Sequence, residues 1–388
     1  MTRSIRLLLS ILHCLFLFIP GHLSSQNSDK EGSHFYNIEI KYVGDFARNF
    51  SGGICKENSY MGLAALRFSS EFPDKGILKN TSFSFLGVNT HSTKELSSLT
   101  GDLQVTSNIE AGNHTYVQEL WICQKFGRFD FTFGLQDMNV EFANTEYAGP
   151  FLNSSFGVIP VISSNINAPI FPLTSLGLMF KWTINDKMSW ATSVHDANPE
   201  PFEKNPHNLK WPYKKGDGLI FMSEFHLEPE PEGLKRIYEV GLYSANNLPE
   251  FITGTTLPDS AKLTGVGFYA NVDRGLVKEG KKEINLFIQC GYSPSGNATS
   301  DGYFGFGVNH IGLFSKKGND MLGAGIACAH LKEQLHCETA IELTYHFHLT
   351  DYFSVQPDFQ YIINPSGNQQ DLNNAFVGNL RINLSFNN

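Results

Sequence analysis

The feature that most constrains this chain is a two-residue hydrophobic period that returns along nearly its whole length. In 353–363, Phe353, Val355, Pro357, Phe359, Tyr361 and Ile363 take every second position, and Ser354, Gln356, Asp358 and Gln360 fill most of the gaps. Successive side chains of a β-strand point to opposite faces, so such a stretch is a strand with one apolar and one polar face. The pattern recurs in Phe129, Phe131, Phe133 and Leu135, and again in Leu219, Phe221, Phe225 and Leu227. It returns in Ile284, Leu286 and Ile288, in Ile341 to Leu349, and in Leu380, Ile382, Leu384 and Phe386. Turn signals such as Phe72-Pro73-Asp74, Asn185-Asp186, Lys317-Gly318-Asn319-Asp320 and Thr350-Asp351 separate the segments. No linker, low-complexity run or composition break divides the chain, so a single sheet of many strands is the economical reading.

Which face turns outward decides the function class. Arg3 and Arg6 precede an apolar run from Leu7 to Ile19, followed by Pro20-Gly21 and small polar residues to Ser25. A charged start, a short apolar stretch and a small-residue cleavage site predict a secretory signal peptide over residues 1–25. The mature domain, 26–388, then has 388 − 25 = 363 residues and, without Arg3 and Arg6, a formal charge of −9 − 2 = −11. No later stretch approaches the roughly 20 apolar residues of a membrane-spanning helix. A membrane form of this chain must therefore be a closed β-barrel, whose strands satisfy one another's backbone groups. At roughly 20–25 residues per strand with its share of turn and loop, the mature chain accommodates about 16 strands. The 32 Phe and 14 Tyr suit aromatic girdles at the two membrane interfaces.

An acidic exported chain with scattered lysines is a poor nucleic-acid binder, because phosphate neutralisation needs clustered Lys and Arg. Cys328 and Cys337 are placed to bridge across a hairpin in an oxidising compartment. The cluster Cys328, His330, His336 and Cys337 lacks a CxxC pair, so no metal is expected, and no cofactor either.

Several blocks resemble the carbohydrate-selective porins, the OprB-type family of bacterial outer membranes. They are Glu119-Leu120-Trp121, "NVEFANTEYAGPFLNSSFG" (139–157), "FPLTSLGLMFKW" (171–182), "LTDYFSVQPDFQYIINPSGN" (349–368) and "NAFVGNLRINLSF" (374–386). The resemblance implies an all-β, closed antiparallel transmembrane barrel of about 16 strands in the bacterial outer membrane. It would have short periplasmic turns and longer extracellular loops, some folded into the lumen, and would pass small sugars passively without enzymatic chemistry. It also implies outer-membrane lipid as surroundings, delivery to the barrel-assembly machinery through the C-terminal strand ending at Phe386, and a monomer or homotrimer.

In the stretch Tyr116–Gln124, Glu119 and Trp121 lie two apart and share a face, with Leu120 and Ile122 on the other. That places a carboxylate and a stacking plane towards the lumen, a combination suited to sugar hydroxyls and C–H faces. Asp137, Glu141, Glu146 and Tyr147 lead into the stretch Pro150–Gly157, with Asn153 inside it, the best candidate for an inward-folded loop. In the same barrel reading, Phe353, Val355, Phe359, Tyr361 and Ile363 face lipid, and Pro357, which cannot donate to the ladder, predicts a β-bulge. The residues leave two other functions open. One is a porin of the same fold for basic amino acids such as arginine, favoured by the acidic balance. The other is a secreted β-rich carbohydrate-binding protein or glycosidase with its apolar faces turned inward.

Overall fold

The computed structural model describes residues 36–72, 76, 78–214, 216–229, 234–246, 264–315, 317–332, 334, 336–368 and 371–388. The predicted signal segment, 1–25, lies outside the described residues.

The strands are β1 (Tyr36–Ser51), β2 (Asn58–Glu71), β3 (Thr81–Ser92), β4 (His114–Phe126), β5 (Phe129–Gln136) and β6 (Ser175–Asn185). Then follow β7 (Met188–Asp196), β8 (Leu219–Leu227), β9 (Arg236–Asn246), β10 (Thr264–Glu279) and β11 (Lys282–Tyr292). The last are β12 (Ser300–Ile311), β13 (Asp320–Leu331), β14 (Glu338–His348), β15 (Phe353–Ile363) and β16 (Ala375–Asn387). Each pairs antiparallel with the next, and β16 returns to β1 through rungs from Glu39↔Asn387 to Ser51↔Phe376, closing the barrel. The expected barrel of about sixteen strands is therefore the observed one.

Connections alternate between a short and a long end. Gly127-Arg128, Asp186-Lys187 and Gly280-Lys281 are two-residue turns at one end. Gly127 and Gly280 have positive φ, the left-handed conformation that such tight turns require and that glycine adopts without a Cβ clash. The long connections 93–113, 137–174 and 197–218 all leave the opposite end, which is the extracellular one.

The strand pattern turns its apolar face outward. Phe131, Phe133, Leu178, Phe221, Val240, Phe268, Phe306, Leu343, Phe359 and Leu380 are exposed, while Asp45, Gln136, Glu224, Asn271, Asp273, Gln289, Glu342 and Asp358 are buried on the inward face. In β15, Ser354, Gln356, Asp358 and Gln360 are buried and Phe359 and Tyr361 exposed, as the alternation predicts. Pro357 corrects one expectation, because no bulge forms there. Thr344↔Asp358 and Phe347↔Val355 keep one register on either side of the proline, and the two rungs between them are simply missing. On its other edge Pro357 pairs normally with Leu380. The ladder absorbs a missing N–H by losing local pairing, which disturbs register less than inserting a residue.

Leu343, outward and at the middle of β14, tests the direction of the faces. Leu343→Arg should lower folding stability in lipid vesicles by about 2–4 kcal/mol, the cost of a cation near the bilayer midplane. Urea-dependent folding of the detergent-solubilised protein into vesicles measures it, and an unchanged midpoint would contradict the assignment.

Candidate functional site

Two long connections leave the extracellular end and fold into the lumen, where they are fastened by carboxylates on the inward face of the wall. Glu342 on β14 accepts the Leu152 and Asn153 N–H groups at 2.6 and 2.9 Å. Asp273 on β10 accepts those of Glu146 and Tyr147 at 2.7 and 3.3 Å, and Glu224 on β8 accepts that of Ala143 at 2.8 Å. The 93–113 connection is held in the same way by Glu338, which takes the Leu103 and Gln104 N–H groups at 2.8 Å each and the Ser366 N–H at 2.5 Å. A carboxylate accepting two amide hydrogens forms bonds stronger than neutral ones, about 1.5–3 kcal/mol each. It also satisfies loop amides that no strand reaches.

The 137–174 connection then builds an apolar core inside a water-filled barrel. Phe142, Phe151, Phe156, Ile159, Val161 and Ile162 are buried together against the inward rings of Tyr243, Tyr269, Phe287 and Tyr303. Phe151 and Phe156 stack edge-on against Phe287 at 5.3 and 5.5 Å between centroids. Each large apolar side chain removed from lumen water stabilises the inward position by about 1.5–3 kcal/mol. The wall makes room with glycine: a Cβ on Gly325 would lie 2.9 Å from Phe156 and 3.0 Å from Phe151.

Ion pairs join the wall to its neighbours and to the inward loop. Glu119 is buried and receives the Arg67 guanidinium through two bonds, Nη2 to Oε1 at 2.9 Å and Nη1 to Oε2 at 3.1 Å. The Trp121 indole Nε1 donates to the same carboxylate at 2.9 Å, so Glu119 and Trp121 share the lumen face as the spacing predicts. Trp121 lies opposite Gly134, whose φ of 140° and lack of Cβ let the two strands close beside the indole. Glu141, on the inward loop, pairs with Lys181 of β6 at 2.6 Å. Glu146 pairs with Lys235, which immediately precedes β9 at the short-turn end, so the loop reaches deep into the barrel.

The other three sequence-predicted residues are fasteners. Asp137 caps the turn Met138–Val140 through the Asn139 N–H, and its second oxygen takes the Phe171 N–H at 3.0 Å and Gln118 Nε2 at 3.2 Å. Gln118 reaches it because the β3–β4 register slips between Val117 and Glu119, turning Gln118 and Glu119 both inward. Burial, with Glu119 nearby, pushes Asp137 up to about 6. The Tyr147 side chain is buried in the loop core, and its carbonyl accepts Asn309 Nδ2 at 2.5 Å. Asn153 is fully buried, capping Ser154–Phe156 and donating to Gln360 at 3.1 Å.

Sequence reasoning missed Arg67, Lys181 and the wall carboxylates. The available signal was parity: Glu342 sits between Ile341 and Leu343, an acid where the two-residue period points to the lumen.

Comparison with known proteins agrees with this architecture. The family model described as "Carbohydrate-selective porin, OprB family" matches residues 81–386. Porin B of Pseudomonas aeruginosa is 22% identical over 416 residues, covering 90% of this chain and 87% of that protein. The high-pH structure of OprB from Pseudomonas putida superposes with a TM-score of 0.78 at 22% identity, covering 90% of this chain and 94% of that one. OmpT of Vibrio cholerae, in its trimer form, has a TM-score of 0.54 at 10% identity, covering 90% and 99%.

Asp102, in the 93–113 connection, gives this site a pH dependence. It is buried, one carboxylate oxygen has no hydrogen-bond partner, and burial followed by the nearby Glu338 pushes it up to about 7. A carboxyl raised when folded contributes stability fully at low pH and loses it as pH rises through its folded value. Limited proteolysis within 93–113 should therefore be slower at about pH 5.5 than at about pH 8.5. Asp102→Asn should remove most of that difference, and an unchanged profile would contradict it.

Proposed function

This chain belongs to the carbohydrate-selective porin family, OprB, and from that membership we propose which of its residues a permeating sugar meets. The protein is a bacterial outer-membrane channel for small carbohydrates and is not an enzyme. Membership also sets aside a soluble lectin or a glycosidase.

In our reading the solute passes along the side of the lumen that the inward loops leave uncovered, beside Arg67–Glu119–Trp121 and Lys181–Glu141, and leaves past Lys235–Glu146. The observation that carries this is the pairing itself: buried Glu119 takes the Arg67 guanidinium on both its oxygens and the Trp121 indole N–H on Oε2. An opposed acid and base give alternating acceptors and donors that replace a sugar's hydration at low cost without attracting either sign of ion. The indole adds a face for C–H stacking. Asp137, Tyr147 and Asn153 set the loop's position instead of touching solute. Because Glu119, Glu141 and Glu146 each have a cationic partner, the throat suits a neutral sugar better than arginine.

Lipid of the outer membrane surrounds the outward Phe, Leu and Val residues in this reading. Strand β16 is the segment offered to the barrel-assembly machinery, with Phe386 exposed near its end. The chain assembles as a monomer or a homotrimer.

Planar-bilayer recording tests the pathway. Glucose should reduce the ion current saturably, and competing arginine should have little effect. Glu119→Gln should raise the half-saturating glucose concentration about tenfold, equivalent to about 1.4 kcal/mol. Unchanged sugar affinity in that variant would remove Glu119 from the pathway, and dominant block by arginine would favour the basic-amino-acid reading.

A further inference from the structure

We propose that Cys328 and Cys337 are joined as a disulfide after export, locking the extracellular hairpin between β13 and β14. The ladder pairs Cys328 with Thr339 and ends at Ala329↔Glu338, which puts Cys337 one residue beyond the last rung. Thr339 and Cys337 are two apart, so Cys337 is the diagonal neighbour of Cys328 on the outward face. The two thiols are neighbours, and both are free and half-buried in this structure. Cys123 on β4 and Cys290 on β11 sit on strands that neighbour neither β13 nor β14.

The position beside Glu338 gives the bond a function. Cys337 directly precedes the residue whose carboxylate holds Leu103, Gln104 and Ser366. Fixing Cys337 to β13 fixes the outer end of β14, and with it the anchor of the 93–113 connection.

The oxidant is a protein disulfide of the thiol–disulfide oxidoreductase class, met on the way to the outer membrane, outside the reducing cytoplasm. Its sulfur–sulfur bond breaks as one thiolate of this chain attacks it. The second cysteine then displaces the carrier from the mixed disulfide. The chain gives up two protons and two electrons, and the carrier leaves as a dithiol. Burial first, then the neighbouring Cys328 thiol, pushes Cys337 up to about 11. Thiolate is therefore scarce near neutral pH, uncatalysed oxidation is slow, and a carrier is needed.

Protein extracted from outer membranes is denatured in detergent with a maleimide present and no reductant, then digested with trypsin and weighed. Lys332 lies between the two cysteines, so the bridge should appear as two linked peptides, two hydrogens lighter than their sum. Cys328 and Cys337 should take label only after reduction, whereas Cys337→Ser should leave Cys328 labelled without it. Full labelling of both in the unreduced wild type, or a linkage of either to another cysteine, would overturn the proposal. Reduction of the native protein should also speed proteolysis within 93–113 several-fold in wild type and leave the rate in Cys337→Ser unchanged.

Discussion

A peptide group in hydrocarbon has no water to bond to, and everything in this fold follows from meeting that demand with β-strands. A sheet meets it only when it closes on itself, because an open edge would leave a row of unpaired donors and acceptors in lipid. Closure here runs through β1 and β16, with rungs along nearly the whole of both strands. Once the cylinder is closed, alternation sends every second side chain to lipid and the others to an enclosed space. Sixteen strands make that space too wide for wall side chains to fill. The interior is therefore wet, and how it is narrowed becomes a separate problem.

The narrowing uses the physics of soluble proteins inside a membrane protein. Lumen water restores the hydrophobic effect that lipid abolishes, so Phe142, Phe151, Phe156 and Ile159 gain by packing on Phe287 and Tyr303 as in an ordinary core. Wall acids supply the orientation that an apolar contact lacks. Glu224, Asp273 and Glu342 each take defined loop amides, and their order around the wall lays the loop across β8 to β14. In the pathway proposed above, the channel is what this packing leaves: a throat edged by Arg67–Glu119 and Lys181–Glu141, with Glu146 beyond it.

Much of the barrel was legible because a two-residue period is a statement about faces, and export fixes which face meets lipid. Glu119 and Trp121 were legible for the same reason, being two apart on a strand whose other face is Leu120 and Ile122. Asp137, Tyr147 and Asn153 were located correctly in an inward loop, yet their side chains turn to capping and packing. A polar residue in a loop reads alike whether it meets solute or its own backbone, and only the fold distinguishes them. Arg67 and Lys181 stayed hidden because their partners lie far along the chain. The wall acids stayed hidden because a lone inward carboxylate looks like any other polar lumen residue until a loop amide is placed against it. Pro357 misled in the other direction, since a strand can drop two rungs without shifting register.

The central claim is that the 137–174 connection, held inside the barrel, sets the width and selectivity of the throat. Single-channel conductance of a variant lacking residues 143–160, shown to be assembled by its heat-modifiable gel mobility, tests it most directly. The account predicts several-fold higher conductance and loss of saturable reduction of the current by glucose. Conductance equal to that of the intact protein, with glucose still reducing the current, would contradict it.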